Sequence, residues 1–334
     1  MKSHNIKRRR LFQMIGGTVA FGGWAMKDSA GAQADSVSLG FPANLTGAIA
    51  IIGEEAKIFE KTGARVSFHK FNSGAAVRDA MIAQRVELGI MNATPFVIGV
   101  AKGELSGLAV AEYAGRIIMV VGRKDAGFKT VADLRGKKVG SQLGSGTDHV
   151  FQNSVLPKYG LKPSDVQIIN VKFTDQVSAL ASRSIDAYAG TEPYSSIAEH
   201  SGIGTVLVDY SQFDLSPIML AVNRPVLQRK PDAVVAFLKG WLEVVRLIKE
   251  HPAQASQAIW KFYKAQGYDV PEPVFRSALS RIDFTPDYAP ELKGYLTDQA
   301  KTLVENKQIT HIPDWDKELL RQPLAQAREQ LKRV

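Results

Sequence analysis

The chain has 334 residues, 45% of them hydrophobic and 22% charged, a globular composition with room for two domains. It holds no cysteine, which excludes disulfides, thiolate nucleophiles, Fe–S clusters, cysteine-ligated zinc and an acylated N-terminal cysteine. Its net charge of +9 is concentrated at the start, where Lys2, Lys7, Arg8, Arg9, Arg10 and Lys27 stand against Asp28 alone; the remainder is mildly basic, with no run of cations to track a nucleic-acid backbone.

Residues 1–34 read as an export signal. Lys7-Arg8-Arg9-Arg10 is a charged leader. Residues 11–26 are apolar but contain Gly16, Gly17, Gly22 and Gly23, and the run falls short of the ~20 residues of a membrane-spanning helix. Ala32-Gln33-Ala34 is a small-residue cleavage site, giving a mature start at Asp35. Arg9-Arg10-Leu11-Phe12 fits a twin-arginine signal, with an ordinary secretory signal as the alternative.

The mature chain alternates strands and helices. Strands are expected at 37–41, 65–71 and 86–90, with helices at 48–59 and 74–84 between them. Residues 116–121 form a buried-strand run. A second series follows: a strand at 136–140, a helix at 148–156, a strand at 166–171, a helix at 175–181 and a strand at 185–189. Thr130 is placed to cap the short turn that precedes it. The order predicts an α/β architecture with largely parallel sheets, in two halves of similar topology. From Val226 onward the pattern is helical, over 226–250, 252–266, 272–281, 289–306 and 314–332, punctuated by Pro231, Pro252, Pro271 and Pro313. Two α/β lobes with a helical tail imply a cleft between them, and ligands of such sheets sit beyond the carboxyl ends of the strands.

Candidate binding loops follow the strands. Asn44-Leu45-Thr46-Gly47, Ser73-Gly74 and Ser145-Gly146-Thr147 bring small residues and hydroxyls to helix starts, where unpaired N–H groups and the positive dipole end suit an anion. Routine N-capping by Asn and Ser is the competing reading. Asn92 and Thr94, after the third strand, are further candidates for the cleft, or else part of a turn. Glu192, between an apolar strand and Pro193, is the carboxylate best placed to accept a hydrogen bond from a ligand amine or hydroxyl; its alternative is to tie down Tyr194 or a hinge. Asp175-Gln176 and Arg116 are weaker candidates, a cap and a surface ion pair being the other readings.

Catalysis is not supported. Gly144-Ser145-Gly146-Thr147 lacks the lysine of a phosphate-binding loop, and no G-x-S-x-G elbow occurs. The six histidines show no i, i+4 pair, so neither a metal nor a cofactor is expected.

Several segments together resemble a known family. These are Phe71-Asn72-Ser73-Gly74, the stretch 130–140 reading TVADLRGKKVG, Gly144-Ser145-Gly146-Thr147, and Ile185-Asp186-Ala187-Tyr188 through Tyr194. They are similar to the periplasmic solute-binding proteins of ABC transporters for aliphatic sulfonates, taurine, nitrate and thiamine-pyrimidine precursors. The resemblance spans roughly 37–225. It implies a two-lobed Venus-flytrap fold of type II with a C-terminal helical tail packed back on the first lobe. Lobe 1 would comprise 35–122 and the return at 218–334, and lobe 2 would comprise 123–217. The two crossings would lie near 120–126 and 213–219. The anionic head of a ligand would meet the helix starts at Ser73-Gly74 and Ser145-Gly146-Thr147. The implied partners are an inner-membrane permease and a separate ATPase, with the binding protein a monomer; a TRAP-associated or sensory binding protein is the alternative. Enzymes of this fold that need a cysteine are excluded by composition.

Overall fold

The computed structural model describes residues 36–332, which belong to one compact unit. The expected export signal, with its twin-arginine pair and cleavage site after Ala34, lies outside the described residues. No helix among the described residues is long and apolar enough to cross a membrane.

The strands form two five-stranded sheets. β1 (Val37–Pro42) lies between β2 (Val66–Phe71) and β3 (Leu88–Asn92), all parallel. The sheet continues through β10 (Pro217–Asn223), antiparallel to β3, and ends at β4 (Leu105–Tyr113). The second sheet repeats the plan. β6 (Lys138–Ser141) lies between β7 (Gln167–Asn170) and β8 (Ala187–Thr191), all parallel. β5 (Ile118–Arg123) runs antiparallel between β8 and β9 (Gly204–Asp209). The orders β2-β1-β3-β10-β4 and β7-β6-β8-β5-β9 are therefore equivalent, which is the similarity of halves that the sequence suggested.

The chain crosses between sheets twice, and the first crossing differs from the sequence expectation. It occupies 114–117, not 120–126, because β5 is a fully paired central strand of the second sheet. The boundary expected at 122/123 moves accordingly. The second crossing, 210–216, falls close to where it was expected. The two crossings touch: a Cβ on Gly115 would lie 3.0 Å from the Ser211 Cα, so a larger side chain would push the strands apart.

Five regular elements escaped the sequence reading: the helices Ala93–Ala101 and Tyr194–His200, and β4, β9 and β10. The helix expected over 48–59 is split into Ala48–Glu55 and Ile58–Lys61, because Lys57 takes a left-handed conformation.

The tail is helical and packs on the first lobe. Helix Pro231–Glu250 presents Phe237 to Phe59, their rings stacked at 5.2 Å, and Trp241 packs beside Phe237 on the same helix. Gly240 permits this approach, since a Cβ there would come within 2.5 Å of the Phe59 ring. Helix Pro252–Ala265 lies against Ala48–Glu55, and helix Leu292–Glu305 against Ala93–Ala101.

Candidate functional site

The carboxyl ends of β1, β3, β6 and β8 all lead into the boundary between lobes. In the first lobe, Asn44 caps the short turn Leu45–Gly47 by accepting from the Thr46 amide at 2.9 Å, and the Thr46 hydroxyl donates to the same oxygen. Gly47 is obligatory there, because a Cβ would stand 2.3 Å from the Pro42 carbonyl. Ser73 caps helix Gly74–Ile82 by accepting from the Ala76 amide at 3.3 Å. Gly74 lets that helix start against β3, with only 2.9 Å from its would-be Cβ to the Met91 Cβ. Asn92 begins helix Ala93–Ala101, and the Thr94 hydroxyl donates to Gln299 of the tail at 3.3 Å.

In the second lobe Ser145 caps helix Gly146–Val150 by accepting from the Asp148 amide at 3.1 Å. Thr147 is buried, and its carbonyl accepts from the Tyr210 hydroxyl at 3.2 Å. Asn44, Ser73 and Ser145 thus perform the capping role that competed with ligand binding, and their side-chain oxygens are occupied locally.

The structure brings four of the expected residues together from both lobes, while Asn44, Thr46, Gly47, Ser73, Gly74, Ser145 and Glu192 do not line the same cavity. Gly146 abuts Asn92, and Asn92, Thr94, Gly146 and Thr147 line one small cavity with Asp214 and Tyr295. Its volume is about 10 Å³, the size of one water molecule. The two lobes are therefore in contact at this point. Three further hydrogen bonds cross the boundary: the Leu45 amide to the Glu192 carbonyl (3.4 Å), the Tyr194 hydroxyl to the Ala43 carbonyl (3.2 Å), and the Gln142 amide group to the Asn72 carbonyl (3.1 Å).

Glu192 is fully buried, and both its carboxylate oxygens are engaged. Ser196 donates through its hydroxyl (2.7 Å) and amide (3.0 Å), and Arg281 of the tail donates at 3.2 Å. Burial lifts its pKa above the usual carboxylate range, against the opposing pull of Ser196 and Arg281. Asp214, in the second crossing, is a half-buried carboxylate whose pKa desolvation also raises. It accepts from the Tyr295 hydroxyl at 2.6 and 2.7 Å and from Ser216. Asp175 is exposed and makes no cap, while Arg116 lies exposed in a groove beside the crossings.

Several buried polar atoms have no hydrogen-bond partner. Among them are the hydroxyls of Ser141 and Thr191, at the ends of adjacent strands β6 and β8, and the amide oxygen of Gln176. All three residues are at most 1% exposed. A buried hydroxyl without a partner costs about 1–3 kcal/mol, so a structure retains one where something else satisfies it. Sequence reasoning missed Ser141 and Gln142. The signal was a polar pair closing a short apolar strand, just ahead of the glycine loop.

Among the described residues no group of three or more His, Asp or Glu lies together to hold a metal ion.

A family model, described as the NMT1-like family, matches residues 30–261. The chain belongs to the NMT1-like family. Among curated relatives, a putative aliphatic sulfonates-binding protein of Bacillus subtilis is 29% identical over 59% of this chain and 60% of its own length. An Escherichia coli protein of the same description is 26% identical over 64% of this chain and 66% of its own length. The match thus spans about two thirds or less of each relative. Among solved structures, the alkanesulfonate-binding protein SsuA from Xanthomonas axonopodis pv. citri, bound to MOPS, superposes with a TM-score of 0.74 at 17% identity. That superposition covers 87% of this chain and 99% of the other. The fold of this NMT1-like protein is therefore the two-lobed periplasmic-binding-protein fold, with a helical C-terminal region.

Proposed function

We propose that this NMT1-like protein is the substrate-binding component of an ABC importer. It works in the periplasm as a monomer and captures an aliphatic sulfonate or related small organic anion between its lobes, then docks on a permease served by a separate ATPase. The observation that carries this reading is the pair of buried, unpartnered hydroxyls of Ser141 and Thr191 at the ends of β6 and β8. They stand beside the helix start at Ser145-Gly146-Thr147, where amides and the helix dipole favour negative charge. The relatives named above, which are aliphatic sulfonate- and alkanesulfonate-binding proteins, suggest the ligand class.

In this reading capture requires the lobes to part. A cavity of about 10 Å³ admits no sulfonate, so the lobes part about 114–117 and 210–216 and close again on the ligand. Closure is favoured because the ligand contacts both lobes only in the closed state. Glu192, occupied by Ser196 and Arg281 and absent from the lining of that cavity, takes no direct ligand contact in this reading.

The test is a thermal-shift and calorimetric titration of residues 35–334 against alkanesulfonates, MOPS, taurine, nitrate, sulfate and a thiamine-pyrimidine precursor. A sulfonate at 100 times its dissociation constant stabilises the fold by about 2.7 kcal/mol. Stabilisation by nitrate or the pyrimidine alone would replace the ligand class, and silence across the panel would overturn the capture of an organic anion.

A further inference from the structure

The tail does more than cover the first lobe. It is fastened there: helix Glu272–Ser280 packs on Pro252–Ala265, which lies against Ala48–Glu55. Just beyond, the Tyr113 amide donates to the Asp283 carbonyl at 2.9 Å and the Val110 amide to the Pro286 carbonyl at 3.1 Å, so 283–286 borders β4. Trp260 donates to the Val270 carbonyl at 3.0 Å and pins the segment after Pro252–Ala265.

From this base two side chains reach the second lobe. Arg281 donates to the buried Glu192 carboxylate at 3.2 Å, and the Tyr268 hydroxyl donates to the Thr174 carbonyl at 3.3 Å. Between them, Tyr194 of the second lobe packs edge-on against Tyr268 (5.8 Å between ring centres) and Tyr263 (6.3 Å) of the tail. None of these contacts passes through the residues that line the cleft cavity. Parting the lobes strands the Glu192 carboxylate without its cation and opens the tyrosine cluster to water.

We infer that Arg281 and Tyr268 are positioning residues that set the balance between open and closed lobes from outside the ligand cleft. They hold a part of the ligand-free population closed. Apparent affinity scales with the fraction of molecules competent for the bound geometry, so this contact tunes affinity without touching ligand. Its bearing on affinity rests on the ligand-capture reading above; its bearing on lobe position does not.

The absence of cysteine makes the test direct. Lys102 ends the helix that begins at Asn92, and Lys158 ends the helical run that begins at Gly146. Both are exposed, and both helices start where the lobes touch. Spin labels on Lys102→Cys and Lys158→Cys in the mature protein therefore report lobe separation by pulsed electron resonance, with no ligand added. Arg281→Met and Tyr268→Phe are each expected to move population to longer distances. The double variant Arg281→Met/Glu192→Gln is expected to move it no further than Arg281→Met alone. Affinity for whichever sulfonate binds falls about fivefold in each single variant. An unchanged ligand-free distance distribution in both single variants overturns the inference. Tyr268→Phe keeps the ring and removes one hydroxyl, so it remains informative if Arg281→Met folds poorly. If no sulfonate binds any variant, the capture reading fails while the distance measurement still decides the role of the tail.

Discussion

Gly146 of one lobe meets Asn92 of the other so closely that a Cβ on the glycine would stand 2.4 Å from the Asn92 Cβ. The glycine is not needed for its backbone angles, since it sits in the first turn of a right-handed helix. It is needed for the contact. Gly146→Ala is expected to wedge the cleft, lowering ligand affinity at least about tenfold through loss of the closed state. The melting temperature of the ligand-free protein should change little. Calorimetric titration beside a thermal scan separates the two effects, and an unchanged affinity would refute the wedge.

Ser141→Ala and Thr191→Ala test the unpartnered hydroxyls. Each removes a buried polar atom that has no partner. Ligand-free stability is expected to hold or to rise by up to about 1 kcal/mol, while ligand binding weakens by about 1 kcal/mol or more. Those opposite signs would not arise from ordinary packing positions, where truncation to alanine costs stability. Denaturant unfolding with and without ligand measures both.

Several strands were legible because one physical pattern dominated them. β1 and β2 alternate, β1 ending at Pro42 and β2 lying along an exposed edge. β4 and β10 were not legible. β4 mixes Ser106, Gly107 and Glu112 into a fully apolar setting, and its register with β10 shifts twice. Helix Ala93–Ala101 hides behind Pro95, which its first turn tolerates. The helix-start loops of the site could be read locally, because a cap is a matter of neighbouring residues. The partner of Glu192 could not, since Arg281 stands 89 residues away and no local pattern joins them.

Glu112 provides a pH test. It is 1% exposed on β4, with a carboxyl oxygen that lacks a partner, and burial pushes its pKa well above the usual carboxylate range. A raised acid pKa means that the neutral form is favoured by folding. That stability is fully present below the ordinary carboxylate pKa and is lost as pH rises through the elevated folded value. Glu112→Gln keeps a neutral isostere at every pH. Its melting temperature is expected to match the parent in acid and to exceed it increasingly as the buffer is made alkaline. A difference that does not vary with pH would show that Glu112 carries no such linkage.

Tyr295→Phe tests the half-buried carboxylate of the second crossing. Asp214 loses the one hydroxyl proton shared between its two oxygens, which favours its ionised form, so its pKa rises further. Hydrogen bonds to a charged group are worth roughly 1.5–3 kcal/mol each, and the variant is expected to lose stability of that order at neutral pH. The loss should shrink in acid, where Asp214 is protonated in both proteins. Unfolding at two pH values measures it, and equal losses at both would contradict the assignment.

The strand order of the first sheet also dictates an order of events in the making of the protein. β3 and β4 are not neighbours: β10 lies between them and arrives only after the whole second sheet has been synthesised. A nascent chain that has reached Asp209 can complete the second sheet from one continuous stretch, while the first is still two fragments with bare edges. Such edges invite pairing with other chains, and closing a gap over so long a separation is slow. The second sheet can therefore form from chain already made, whereas the first keeps bare edges until residues 217–223 slide into its middle.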